Sequence, residues 1–303
     1  MERSDPAAEE RADEHERPMS ARLEELRPTR GDGSLLRTFC GTFLREVGGR
    51  ITAAELITLF EALGVSGASV RTNLSRLKAK GLLVPERPGR GSSYRLADAA
   101  VTMLERGDRR IYGYRQMRLG DPWMVVVFSV PEAHRDLRHQ LRVRLTWLGC
   151  GSMAPGAWIG PGHLVEETRE VLGEVGLLPY ATVLRTEAPL VAGDLAAAVA
   201  RWWDLTALGE RYDVFTGGFA PVAERWRKPR RSGSDAEAFA DYLRAVDAWR
   251  SIPYLDPALP PELLPADWPG ERGVALFAGL RERLAGPALR HVRTVTGTRA
   301  AAG

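Results

Sequence analysis

Between Ser34 and Leu96 the chain sets three helix-length apolar repeats and one alternating stretch so close together that only tight turns can join them. "SLLRTFCGTFLREVG" carries Leu35, Leu36, Phe39, Phe43 and Leu44 at helical spacing and closes on Gly48. "TAAELITLFEALG" begins with Thr52 and Glu55 in a capping-box arrangement, presents Leu56, Leu59, Phe60 and Leu63, and stops at Gly64. Ser66 then stands as the N-cap of a third helix that holds Val70, Leu74 and Leu77 on one side and ends at Gly81. "LLVPERPGRGSSYRL" alternates as two short strands joined by a turn at Pro88–Gly91. Three helices followed by a hairpin predict a winged helix.

The third helix has an unusual outer face. Opposite its apolar stripe stand Ala68, Thr72, Ser75 and Ala79, flanked by Arg71 and Arg76, and no carboxylate occurs between Gly64 and Pro85. Small residues allow a close backbone approach in a DNA major groove, hydroxyls bond to bases or phosphates, and acidic side chains would be repelled. The candidate DNA contacts on this element are Ser66, Ser69, Arg71, Thr72, Ser75, Arg76 and Lys80, and the hairpin adds Arg87, Arg90, Ser92, Ser93 and Arg95. Charge agrees: from Gly64 to Arg118 twelve Lys/Arg face four Asp/Glu, 12 − 4 = +8, in a chain whose net charge is only +3. A solvated basic face, or a protein-interaction module, is the plainer alternative.

With 303 residues, 44% of them hydrophobic, the chain is long enough for more than one domain. No apolar run approaches the roughly 20 residues that span a bilayer, and residues 1–32 read as a polar tail without a signal-peptide core, so the expected location is cytoplasmic, away from membranes. The two cysteines, Cys40 and Cys150, each fall in an apolar-periodic segment and are expected to be buried free thiols. The histidines lack metal spacing, and neither a nucleophile–base pair nor a phosphate loop is present. The sequence thus points to no catalytic residue, no metal site and no cofactor.

In the middle third, "DPWMVVVFSVP" predicts a strand, Leu137, Leu141, Leu145 and Leu148 a helix, "GAWIGP" a strand, "HLVEETREVLGEVG" a helix and "YATVLRT" a strand. This order suggests a small ferredoxin-like domain. Nucleases of the Cas2 type on that fold end the first strand with a metal-binding aspartate; here the place holds Ser129, which disfavours metal-dependent cleavage.

From Asp194 on the pattern is helical, in "DLAAAVARWWDLTAL", "ERYDVFTGGFAPV", "SDAEAFADYLRAVDAWRSI" and "GVALFAGLRERLA". Aromatic residues concentrate here, mostly as core, with a minority able to line a cavity between helices. "RWRKPRRSGS" reads as a basic loop between the second and third of these helices.

The stretches "VRTNLSRLKAKGLL", "SSYRL", "WLGCGSMAPGAWIGP" and "LDPALPPELLPADWPG", spread over Ser34 to Val292, resemble the PaaX family of transcriptional repressors. The resemblance implies a homodimer with a winged helix, a Cas2-like middle domain and a helical carboxy-terminal domain. It also implies a palindromic double-stranded DNA operator that is released when an aryl-CoA thioester such as phenylacetyl-CoA binds. On that basis Trp202 and Tyr212 are candidates for the aryl group, and Arg225, Arg227, Lys228 and Arg230 for the CoA phosphates. The turn "PGRGSSY" lacks the adjacent arginines and aromatic common in the family, so fewer phosphate contacts are expected there. The expected fold class is α+β, with a tail over 1–32, the winged helix over 33–106, a linker over 107–120, the ferredoxin-like domain over 121–192 and an all-α domain over 193–303.

Overall fold

A computed structural model describes residues 31–86, 92–227 and 233–298. Most of the expected tail, residues 1–30, and the Pro88–Gly91 turn lie outside the described residues.

Helix α1 (Asp32–Phe39) continues through a π turn and a 3-10 turn to Val47, burying Leu36, Phe39, Phe43 and Leu44 as their spacing predicts. A three-residue strand β1 (Arg50–Thr52) follows, too short for any periodicity to reveal. Helix α2 (Ala53–Glu61) starts from the predicted capping box: Glu55 N–H donates to Thr52 Oγ1 at 3.2 Å, and Thr52 N–H donates to Glu55 Oε2 at 2.7 Å. Gly64, at φ 71°, takes the left-handed conformation that reverses the chain into α3 (Gly67–Ala79). Strands β2 (Leu83–Glu86) and β3 (Ser93–Leu96) pair antiparallel, and β1 joins them in the order β1-β3-β2. Helix α4 (Asp98–Tyr112) follows, and its last turns run through the start of the stretch 107–120.

The middle region holds β4 (Trp123–Phe128), α5 (Arg135–Trp147), β5 (Gly151–Ala154), β6 (Ala157–Pro161), α6 (Val165–Glu174) and β7 (Ala181–Thr186). Its sheet is antiparallel in the order β5-β6-β4-β7, with a bulge in β5 between Ser152 and Ala154. β5 was not expected, because "GSMAPG" reads as turn chemistry; it completes the strand–helix–strand–strand–helix–strand sequence. Met124, Val126 and Phe128 pack with Leu141, Leu145 and Leu172 of the two helices. Trp123 and Ile159 belong instead to a cluster with Val199, Trp203 and Leu259. Gly151 is required there: a Cβ on it would lie 2.6 Å from the Trp203 ring, whose Nε1 donates to the Gly149 carbonyl at 2.9 Å.

The remaining helices are α7 (Leu195–Trp202), α8 (Leu205–Arg227), α9 (Asp235–Trp249), α10 (Ile252–Leu255) and α11 (Gly270–Thr296). "DLAAAVARWWDLTAL" is two helices, since Trp203 is extended and Asp204 caps α8 through the Ala207 N–H at 2.9 Å. No helix of the described residues is long and apolar enough to cross a membrane.

Two compact units emerge. One gathers the described residues of Met1–Arg106, Gly233–Asp247 and Leu284–Gly303; the other gathers those of Gly107–Ser232 and Ala248–Arg283. These units cut across the expected segments. In the first, the rings of Phe39 and Phe43 meet Phe239 at 6.3 and 5.5 Å, Phe43 meets Tyr242 at 6.1 Å, and Phe239 meets His291 at 5.5 Å. The core beneath α1–α3 is therefore completed by α9 and α11. In the second, Trp249 stacks on Phe277 at 4.7 Å and contacts Tyr212 and Phe215. Cys40 and Cys150 are buried free thiols, and burial pushes each up to about 12.

Candidate nucleic-acid interface

The outer strip of α3 is built as its spacing predicts. Val70, Leu74 and Leu77 are buried, while Ala68, Arg71, Thr72, Ser75, Arg76 and Ala79 are exposed. At 1.5 Å per residue, Ala68 to Ala79 makes a strip about 16 Å long, comparable to the roughly 12 Å width of a major groove. Lys78 is exposed on the same helix and extends the basic edge beside the strip. Lys80, the C-cap residue, is half-buried.

The hydroxyls are not equivalent. Ser66 Oγ accepts the Ser69 N–H at 3.2 Å, so it serves as the predicted N-cap. Ser69 Oγ donates to Asp32 Oδ2 at 2.6 Å and accepts from Asn73 Nδ2 at 3.3 Å, which turns this candidate inward as a link between α1 and α3. Thr72 Oγ1 donates to the Ala68 carbonyl at 3.1 Å and keeps its lone pairs toward solvent. Ser75 is exposed at the centre of the strip.

On the sheet, Ser92 is exposed and Ser93 half-buried. Arg95 Nη1 donates to the Leu96 carbonyl at 3.0 Å and to Asp98 Oδ1 at 2.8 Å, so its guanidinium is held along the protein surface. Arg87 and Arg90 lie outside the described residues. Strand β1 brings in Arg50, whose side chain is 70% exposed and pairs with Glu86 at 3.2 Å. No sequence signal marked Arg50, because it depends on a strand too short to read.

The residues expected to hold an acyl-CoA are not one constellation. Tyr212 is buried and its hydroxyl donates to Asp256, a fully buried carboxylate whose other oxygen accepts the Ala258 N–H at 2.7 Å. Burial raises Asp256 above the ordinary carboxylate range, with the Tyr212, Ala258 and Tyr114 hydrogen bonds working against the rise. Burial, reinforced by the Asp256 charge, likewise pushes the Tyr212 and Tyr114 phenols upward. Tyr212 is thus a core residue that fixes the "LDPA" turn. Trp202 is half-buried against Trp203, with ring centroids 6.2 Å apart. Arg225 and Arg227 lie on the last turn of α8, not in a loop: Arg225 sits over the Trp226 ring at 5.8 Å and Arg227 pairs with Glu224 at 2.8 Å. Thirteen helical residues, about 20 Å, separate Tyr212 from Arg225. Lys228 and Arg230 lie outside the described residues.

Ser129 is exposed beyond the end of β4, its N–H donating to the Tyr180 carbonyl at 3.0 Å. Among the described residues no group of three or more His, Cys, Asp or Glu is placed to hold a metal ion.

Comparison with known proteins places these regions in one lineage. Residues 32–100 match the family described as PaaX-like protein, residues 116–198 the PaaX protein central Cas2-like domain, and residues 203–294 the PaaX-like protein C-terminal domain. A protein of Escherichia coli K12, transcriptional repressor PaaX, is 29% identical over 261 residues, covering 86% of this chain and 82% of that protein. An uncharacterised protein of Mycobacterium tuberculosis shares the fold with a TM-score of 0.55 at 23% identity, covering 88% of this chain and all of that one.

Proposed function

The chain belongs to the PaaX family, and from that premise we propose that it is a ligand-responsive transcriptional repressor whose α1–α3 and β1–β3 form a winged helix that reads DNA through α3. The observation that carries this reading is the exposed strip Ala68, Thr72, Ser75 and Ala79 between Arg71 and Arg76, a helix face without a carboxylate. Thr72, Ser75 and Arg76 contact base edges; Arg71, Lys78 and Lys80 neutralise phosphates. Ser66, Ser69 and Arg95 act by holding the reading elements in place, and Arg87, Arg90, Ser92 and Ser93 of the hairpin add backbone contacts.

The protein acts as a homodimer, so that two copies of α3 address the halves of a palindromic operator. An aryl-CoA, phenylacetyl-CoA first among them, releases the DNA. By linkage the effector binds the DNA-free form more tightly by the same factor by which it weakens DNA binding. Of the residues considered for that ligand, Trp202, Arg225 and Arg227 keep exposed or half-buried groups that a ligand can meet, whereas Tyr212 does not.

Fluorescence anisotropy on DNA from upstream of the protein's own gene neighbourhood, at two salt concentrations and with or without phenylacetyl-CoA, tests the proposal. Tight, salt-sensitive binding released by the thioester supports both halves. Tight binding that the thioester leaves unchanged keeps the repressor and removes this effector, and salt-insensitive or absent binding removes the DNA reading.

A further inference from the structure

Helix α3 leaves α2 through the short Leu63–Ser66 turn, and a residue from far along the chain is tied to that turn. At the end of α2 the last carbonyls have no partner within the helix. Backbone N–H groups of the turn bond the Phe60 and Glu61 carbonyls, and Arg244 of α9 bonds the turn itself: its Nη2 donates to the Leu63 carbonyl at 3.1 Å across 181 positions of sequence. Asp247 lies three residues further on, on the same side of the helix, and its Oδ1 accepts the Ser34 and Thr38 hydroxyls of α1, each at 2.6 Å. One face of α9 therefore grips both α1, through Ser34 and Thr38, and the turn that launches α3. α1 in turn holds α3 through Asp32 and Ser69.

Two features separate this arrangement from ordinary core packing. Arg244 is an exposed residue and not a core side chain, and its bond goes to a backbone carbonyl in a turn rather than to a neighbouring helix side chain. A guanidinium fixed to a turn carbonyl constrains direction more than it adds stability.

We propose that Arg244 is a positioning residue for DNA recognition. Through the Leu63 carbonyl it sets the angle at which α3 departs from α2, while Asp247 fixes α1 to the same helix face. The proposal rests on α3 being the DNA-reading helix. It makes a residue of the C-terminal family region a determinant of operator affinity although it does not touch DNA.

Arg244→Met keeps the aliphatic stem and removes the donors; Arg244→Lys restores a donor. Each is titrated by anisotropy against the fragment that the wild-type protein protects in a footprint and against a scrambled duplex, with thermal unfolding followed in parallel. The expected result for Arg244→Met is an operator affinity lower by about tenfold, the loss of one charge-assisted hydrogen bond. Its scrambled-duplex affinity and unfolding midpoint stay at the wild-type values, and Arg244→Lys recovers most of the operator affinity. Equal affinity of Arg244→Met and wild type for the operator overturns the proposal, as does an equal loss on both duplexes with a lowered midpoint. Arg76→Ala serves as the control. If it lowers the operator-to-scrambled ratio and Arg244→Met does not, only the positioning role falls; if Arg76→Ala leaves the ratio unchanged, the reading of α3 falls and the positioning role with it.

Discussion

Helix α3 and the Asp256 turn use polar groups in opposite ways. On α3 the arginines and the Thr72 and Ser75 hydroxyls stand in solvent with bonding capacity left over. Around Asp256 that capacity is consumed: its carboxylate is fully buried and accepts from Tyr212 and the Ala258 N–H, with the Tyr114 hydroxyl 3.5 Å away. The contrast teaches that a distinctive motif and a functional surface are different things. "LDPALPPELLPADWPG" is the most recognisable stretch of the sequence, and the structure uses it to lock a turn. The α3 strip consists of common residues and stands open to solvent.

The largest effect that separates the two regions is on stability. Asp256→Ala leaves the Tyr212 hydroxyl and the Ala258 N–H buried without their acceptor, at a cost of about 3 kcal/mol, read as a lower midpoint in urea unfolding. A midpoint equal to wild type would show that Asp256 is not a structural node and would break the comparison. Next comes Arg76→Ala, for which we expect a loss of about 1 to 3 kcal/mol in discrimination between operator and altered operators, with the unfolding midpoint unchanged. Arg71→Ala and Arg90→Ala should instead weaken all sequences alike, each lowering the log–log salt slope by about one unit in titrations from low to high salt.

The smallest effect is one of pH. Burial, and then the charges of Arg115 and Arg110, lower His163 from 6.5 to about 4. The folded state prefers the neutral ring, so the stability tied to it is complete above 6.5 and is lost as pH falls from 6.5 toward 4. His163→Gln should flatten that part of the thermal stability profile. Asp256 has the opposite sign: raised in the folded state, it favours folding at low pH and loses that contribution as pH climbs past the ordinary carboxylate value near 3.9. Profiles of the two variants that move in the same direction would contradict this assignment.

Much of the architecture was legible in the sequence for local reasons. The capping box of Thr52 and Glu55, the N-cap of Ser66 and the reversal at Gly64 are all decided within a few residues. So is the exposure of the α3 strip, which follows from spacing alone. What escaped depended on distance or brevity. β1 and Arg50 rest on a three-residue strand, and β5 is disguised by turn residues. Tyr212 looked like a ligand ring because its acceptor, Asp256, stands 44 positions away. Arg225 and Arg227 looked like loop residues because the run of arginines hid the end of α8. Ser69 faces inward because of Asp32, 37 positions earlier, a pairing that helical periodicity cannot express.

The interleaving of the first unit has a consequence in time. Ser34 and Asp247 are 213 positions apart, and Phe239 and His291 also enter the core beneath α1–α3 from the far end of the chain. At roughly 5 to 20 residues per second, a ribosome needs on the order of ten to forty seconds to travel from one to the other. Throughout that interval the newborn amino-terminal helices carry Phe39 and Phe43 without Phe239 and Tyr242, the rings that close the far side of their core. The segment proposed to read DNA is therefore made well before the residues that complete its core, and its packing is finished only once α9 and α11 have been synthesised.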